Sequence, residues 1–296
     1  MSSRGTSGLD GLVTLRPAEV VPRVEPTWEH ADVVGHAVAG GRYLRLTLRS
    51  PEIAASAQAG QFVMVTVPGA TGDRILLPRP MAIHRRRPAE GIVELIYNVI
   101  GRGTAALSEV PVGSSVLLTG PLGRGFEIPA GAQRLLLIGR GIGVCAVMGV
   151  AEDARGTGIR VDAVLSANTA SSVIGAEDCA ELGAEAIPVC DEDGSSSVQR
   201  LGELLRRRFA ASPPDAIMVC GSTRLSRLAA ELSAEWGVGA QVSLEAHMAC
   251  GLGYCHGCAA PTAHSAAEEG PLVCVDGPVF DLLPADAGLA VAGAGR

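Results

Sequence analysis

Aromatic side chains are scarce in this chain, with two Trp, three Tyr and four Phe in 296 residues. Its cores are therefore expected to pack from Ala, Val and Leu, and 38 glycines point to many close backbone approaches. Excess positive charge is also missing: 24 basic residues face 31 acidic ones, a net charge of −7. Without a basic stripe interleaved with aromatics, nucleic acid is not expected as a partner. No long hydrophobic run occurs either. The longest mostly apolar stretch, Gly141 to Ala151, is bounded by Arg140 and Glu152 and falls far short of the ~20 residues needed to cross a bilayer. The first residues show no charged segment leading into an apolar one, so neither a secretory signal nor a membrane partner is expected, and the predicted compartment is the cytoplasm.

What is present is globular composition, 47% apolar and 19% charged, in a chain long enough for two or three units. Residues 1–30 read as a flexible extension. From 31 to 130 the pattern has period two, broken by Gly and Pro: "YLRLTL" sets Leu44, Leu46 and Leu48 on one face, and "QFVMVTV", "IVELIYNV" and "SVLLTG" follow. Short strands without intervening helices predict an antiparallel β-barrel. From 131 to 238 the texture becomes alternating: "RLLLIG", "VDAVLSA", "AEAIPVC" and "AIMVCG" are strands, with helices between some of them. Leu225, Leu228, Leu232 and Trp236 recur at helical steps before Gly237, the expected stop. That alternation predicts an α/β, Rossmann-like parallel sheet. Residues 239–296 read as a small irregular domain rich in Gly, Pro and Cys, too short for a substantial core without a staple.

Eight cysteines without an export signal argue against a disulfide framework. Cys145, Cys179, Cys190 and Cys220 are scattered, and read as small core residues. Cys250, Cys255, Cys258 and Cys274 are spaced C-x4-C-x2-C-x15-C, which matches the plant-type [2Fe-2S] pattern. Gly251, Gly253 and Gly257 lie between them, where a loop must turn its N–H groups toward sulfur. A zinc-stapled binding or scaffolding domain is the alternative, although zinc sites usually pair cysteines as C-x2-C on both sides. A one-electron cluster needs a partner that splits electron pairs, usually a flavin. Two patterns in the barrel region suit a dinucleotide: Arg79, at a strand end, can pair with a pyrophosphate, and Gly101–Thr104 can present N–H groups at a helix start. Each pattern alone also fits an ordinary strand end or turn.

Taken together and in order, "RPMAI" at 79–83, "GRGTAALS", "GPLGRGFEIP", "LLLIGRGIGV", the cysteine loop and above all "CVDGPVFD" resemble ferredoxin-reductase-type flavoproteins with a C-terminal [2Fe-2S] domain. Within that group, residues 31 to 285 most resemble the electron-transfer subunit of class B dihydroorotate dehydrogenase, of pyrimidine biosynthesis. The resemblance implies FAD on the barrel, NAD on the α/β domain, and a cluster that passes electrons to an FMN-containing catalytic subunit in a hetero-oligomer, expected to be a heterotetramer. It implies FAD contacts at Arg79, Pro80, Met81, Ala82, Ile96, Tyr97, Asn98, Gly103 and Thr104, and cluster ligation by Cys250, Cys255, Cys258 and Cys274. Nucleotide contacts fall at Gly139, Arg140, Gly141, Gly143, Cys220 and Gly221.

Four positions depart from the family pattern, all on the side that would meet NAD. Ala82 replaces a Ser or Thr, Arg140 interrupts the phosphate turn, the acidic stretch survives only as "DEDGSSSVQR" at 191–200, and Ser222 replaces a Pro. They raise a second expectation, an electron relay that no longer takes hydride from NAD(H) and serves a related dehydrogenase of another pathway. The runs Arg85–Arg87 and Arg206–Arg208 are expected to be solvated.

Overall fold

The computed structural model describes residues 13–17, 25–67, 75–260 and 270–284. Most of the expected N-terminal extension, 1–12 and 18–24, and the tail beyond 284 lie outside the described residues. After a first strand, β1 (Val13–Pro17), the chain forms β2 (Thr27–Gly40), β3 (Tyr43–Arg49), the short helix α1 (Pro51–Ser56), β4 (Phe62–Thr66), β5 (Arg79–Arg87), β6 (Ile92–Asn98), helix α2 (Arg102–Ser108) and β7 (Ser115–Leu122). Strands β2 to β7 close into an antiparallel barrel with neighbour order β2-β3-β6-β5-β4-β7. Two-residue periodicity fills its interior: Val63 and Val65, Met81 and Ile83, and Val93, Leu95 and Tyr97 point inward together.

The second unit runs β8 (Arg134–Arg140), α3 (Val144–Ala154), β9 (Arg160–Ala167), α4 (Ala176–Leu182), β10 (Glu185–Cys190), α5 (Val198–Arg208), β11 (Ala216–Cys220), α6 (Thr223–Trp236), β12 (Gly239–Ser243) and β13 (Val279–Pro284). Its sheet has the order β1-β13-β12-β11-β8-β9-β10, parallel from β12 to β10. Leu135–Ile138 and Ala216–Cys220 are buried because helices cover both faces of these central strands. Helix α6 buries Leu225, Leu228 and Leu232 and ends at Gly237 in the left-handed region, as its periodicity predicts.

Hydrogen-bonded structure crosses two boundaries expected from composition. β1, within the segment read as flexible, pairs antiparallel with β13, and β13 pairs antiparallel with β12. The cysteine segment is thus an excursion between two neighbouring strands of one sheet. The Cys- and Pro-rich surroundings of "VFDLLP" hide a strand whose Val279, Phe280 and Leu282 are buried.

A further correction concerns the arginine run 85–87, which is not a solvated face: Arg85 is 2% and Arg86 8% exposed. Arg85 donates to Glu152 of α3 at 3.0 Å and to Asp178 of α4 at 3.0 Å, and Arg86 pairs with Glu152 and Asp153. Arg45 of β3 and His84 of β5 also reach Asp178, at 2.8 and 3.1 Å. Barrel cations therefore meet helix carboxylates across the junction between the two units. Arg206 and Arg208 keep to the surface of α5 and pair with Glu235 and Asp162.

Candidate functional site

Three groups of residues form candidate sites, one on the barrel, one at the sheet and one in the cysteine loop. The first surrounds Arg79. Its guanidinium lies on Gly103, near the start of α2, so closely that a Cβ at Gly103 would overlap it. Two stretches distant in sequence thus form one cationic cradle. Thr104 spends its hydroxyl on the same turn, accepting from the N–H groups of Ile100 at 3.0 Å and Gly101 at 3.2 Å. Exposed apolar side chains flank the cradle in sequence: Leu76 and Leu77 before Arg79, Val99 and Ile100 before α2, with Leu76 81% and Ile100 84% exposed.

The strand residues beside the cradle divide by face. Met81 and Tyr97 turn into the barrel. Burial raises the Tyr97 phenol to about 12, and its hydroxyl pairs with His36 at 2.7 Å, so this side chain is committed inside. Ala82 and Ile96 face outward against the core that contains Cys145 and Cys220. Pro80 and Asn98 are half-buried at the strand ends.

The second group is a cleft of about 410 Å³ at the carboxyl end of the parallel sheet, lined among others by Tyr43, Gly141, Ile142, Asn168, Gly221 and Glu245. In doubly wound sheets ligands bind in this crevice. Gly143 brings the turn after β8 against the end of β11: a Cβ there would stand 2.5 Å from the Cys220 carbonyl oxygen. Gly139, Gly141, Gly143, Cys220 and Gly221 are thereby gathered at one edge.

Arg140, at the end of β8, is drawn toward the ends of β9 and β10. It donates to Ser166 at 2.9 Å, to Asn168 at 2.6 Å and to both oxygens of Asp191, at 3.2 and 2.6 Å. Hydrogen bonds from Arg140, Ser196 and Arg224 hold the Asp191 carboxyl well below the usual range. The first residue of the degenerate acidic stretch is therefore the anchor of the anomalous arginine. Glu245 opens to solvent at the cleft mouth, yet the surrounding walls raise its carboxyl above the usual range by desolvation. Arg42, Tyr43 and Glu245 carry no motif, and their place in the cleft follows only from the fold.

The third group is the cysteine loop. Cys250 and Cys255 bring their sulfurs to 3.4 Å, and the Cys274 N–H approaches the Cys258 sulfur at 3.5 Å. The first pair lies at the surface, with Cys255 exposed and Tyr254 beside it 85% exposed, whereas Cys258 and Cys274 are buried. Burial tends to raise the Cys250 thiol, but N–H groups of Leu252, Cys255 and Tyr254 and the Cys255 side chain bring it down to about 7. Cys274 is pushed up to about 12 by burial and its neighbour Cys258. Among the described residues no group of three or more His, Cys, Asp or Glu side chains is drawn together tightly enough to hold one metal ion. Thiols in two pairs suit a cluster in which each of two irons takes two thiolates; one tetrahedral zinc requires all four at ~2.3 Å from a common centre. His256, within the loop, is exposed and outside both pairs.

A closed antiparallel barrel joined to this parallel sheet, with a cysteine loop between its last two strands, defines a ferredoxin-reductase-type protein. The structure of an NADH-dependent reduced ferredoxin-NADP oxidoreductase, described for flavin-based electron bifurcation, superposes with a TM-score of 0.70 at 25% identity, covering 86% of this chain and 88% of the other. Phthalate dioxygenase reductase shares the fold at 13% identity and a TM-score of 0.55, over 71% of this chain and 65% of its own. Residues 245–283 match the iron-sulfur cluster binding domain of dihydroorotate dehydrogenase B. The chain is 31% identical to the electron transfer subunit of dihydroorotate dehydrogenase B (NAD(+)) from Desulforamulus reducens, over 78% of this chain and 87% of that one. It is 33% identical to the same subunit from Bacillus caldolyticus, over 85% and 96%. The chain belongs to the family of dihydroorotate dehydrogenase B electron transfer subunits, oxidoreductase components.

Proposed function

We propose that this subunit carries FAD on its barrel and a [2Fe-2S] cluster on Cys250, Cys255, Cys258 and Cys274, and moves electrons between NADH and the FMN of a separate catalytic subunit, in a hetero-oligomer of the dihydroorotate dehydrogenase type. The observation that carries this reading is the paired arrangement of the four thiols, with one pair at the surface and the other in the core. When bound, the flavin accepts electrons as a pair and releases them singly to the cluster.

The chain's own residues have distinct tasks in this reading. Arg79 and the first turn of α2 hold the FAD pyrophosphate, since a guanidinium resting on Gly103 beside the first turn offers both charge and donors to phosphate oxygens. Pro80, Ala82, Ile96 and Asn98 shape the wall against which the flavin lies. Met81 and Tyr97 support that wall from inside the barrel. Ala82 offers no hydroxyl to the flavin, a loss of about 0.5–1.5 kcal/mol of hydrogen bonding. The Gly139–Gly143 turn and Cys220–Gly221 form the nucleotide edge. Arg140 lines the cleft with its guanidinium tied to Asn168 and Asp191, at the ends of β9 and β10. This supports nicotinamide use over the nucleotide-independent relay. Working units of 31–130, 131–238 and 239–296 describe flavin, nucleotide and cluster functions, although β12 and β13 tie the last two into one sheet. No helix among the described residues is long and apolar enough to cross a membrane. We place the protein in the cytoplasm because its buried free thiols and iron-ligating loop suit a reducing compartment.

Anaerobically purified protein is expected to contain FAD, iron and sulfide and no zinc, and rapid mixing with NADH is expected to bleach the flavin. Bleaching by neither NADH nor NADPH would favour the relay reading. Zinc in place of iron, without flavin, would end the redox reading altogether.

A further inference from the structure

Strand β4 separates the proposed flavin wall from the cysteine loop, and its residues alternate between two destinations. Val63 and Val65 point into the barrel, while Phe62 and Met64 point out into the core that also holds Cys258 and Cys274. On the β5 side, Phe62 stands opposite Ala82 and Met64 opposite Pro80 in the antiparallel ladder. On the loop side, Gly251, directly after Cys250, has a φ of +71 and lies against the Met64 side chain. A Cβ on Gly251 would come within 2.7 Å of Met64 Cγ, 3.0 Å of its Sδ and 3.2 Å of Leu122 Cδ1. Met64 is 1% exposed. Its backbone is therefore fixed by the strand that forms the flavin wall, and its thioether presses on the backbone beside the first thiolate.

We propose that Met64 is a positioning residue that sets the separation between bound FAD and the iron-sulfur cluster, and with it the rate at which electrons cross. The proposal rests on the cofactor assignment above. In each crossing one electron leaves the reduced flavin and one ferric iron of the cluster becomes ferrous; the single proton that arrived with the hydride goes to solvent once both electrons have left. A close-packed interior transmits the length of a single side chain to whatever rests on it. An unbranched, polarizable thioether is suited to filling the irregular gap between a strand and a glycine-rich loop.

The test uses the anaerobic holoprotein, with FAD and iron content measured first. Flash photoreduction of the flavin starts the transfer, and freeze-quench EPR of the reduced cluster follows it. Met64→Ala leaves a void between the strand and the loop, and cluster reduction across that poorly packed gap is expected to slow severalfold while flavin content, iron content, the flavin midpoint potential and the KM for NADH stay as in the wild type. Met64→Leu, which nearly preserves volume, is expected to restore the rate. A wild-type rate in Met64→Ala with both cofactors bound overturns the proposal, as does a Leu variant as slow as the Ala variant. Should Met64→Ala shed iron, Leu and Val carry the comparison: rates falling with side-chain length support the role, and equal rates overturn it. Wild-type protein lacking FAD or iron would overturn the cofactor assignment itself, and this proposal with it.

Discussion

Asp178 draws two arginines and a histidine of the barrel to one carboxylate: Arg45 at 2.8 Å, Arg85 at 3.0 Å and His84 at 3.1 Å. Burial by itself would raise this carboxyl, but the hydrogen bonds and charges of His84 and Arg45 outweigh it and hold the group well below the usual range. Every one of the chain's 24 basic residues is Arg, and a forked guanidinium can satisfy several carboxylates where an ammonium cannot. Asp178→Asn removes the carboxylate that Arg45 and Arg85 share, leaving them Glu94 and Glu152, and a loss of about 1.5–3 kcal/mol is expected in urea unfolding. The sign with pH follows from the lowered value: the contribution of Asp178 is complete above an unfolded pKa of about 4 and drains away as pH falls below it. Wild type is therefore expected to lose more stability than Asp178→Asn between neutral and strongly acidic pH. Equal losses would show that Asp178 is not what acid releases. None of this was legible in the run "HRRR", because a charge run reads as a solvated face unless something outside the run supplies carboxylates.

At the scale of elements, α2 is short, and its importance lies in what rests on it. Gly103 is the one residue type that lets the Arg79 guanidinium lie against the helix start. Gly103→Ala must displace that guanidinium, and FAD affinity is expected to fall about tenfold or more, since charge-assisted hydrogen bonds contribute about 1.5–3 kcal/mol. Flavin titration of the apoprotein measures this, and unchanged affinity would remove Arg79 and α2 from the pyrophosphate seat. Both motifs were visible as separate patterns; their contact was not, because 23 residues and a whole strand, β6, intervene. The turn after β8 was legible in the opposite sense. Its Arg140 read as an obstruction, and only the fold brings Asp191 and Asn168 to the neighbouring strand ends that draw it aside.

For the whole molecule, the cysteine segment leaves the sheet at β12 and returns at β13, and its buried cysteines share a core with Met64 of the barrel and Phe280 of the sheet. Hydrogen bonds reinforce this meeting point: Arg124 N–H donates to Gly277 at 2.6 Å and Leu244 N–H to Pro278 at 2.8 Å. Removing the iron should therefore weaken the whole fold rather than melt a detached domain. A single unfolding transition is expected to shift down by about 2–4 °C per kcal/mol lost. A new low-temperature transition with the main one unmoved would instead mark the cysteine domain as independent.

The sequence by itself determined what local physics can encode. Two-residue periodicity specified the barrel strands, and apolar runs with glycine stops specified the α/β alternation. The C-x4-C-x2-C-x15-C spacing pointed to the proposed donor set, because a loop around a cluster must carry its ligands and turns at short range. Tertiary structure decided everything that depends on partners far along the chain. It buried Arg85 and Arg86 against α3 and α4, turned Arg140 toward Asp191, joined Arg79 to Gly103, and set Met64 against Gly251. Charge pairing and close packing act through space, and only the assembled barrel and sheet bring those groups within reach of one another.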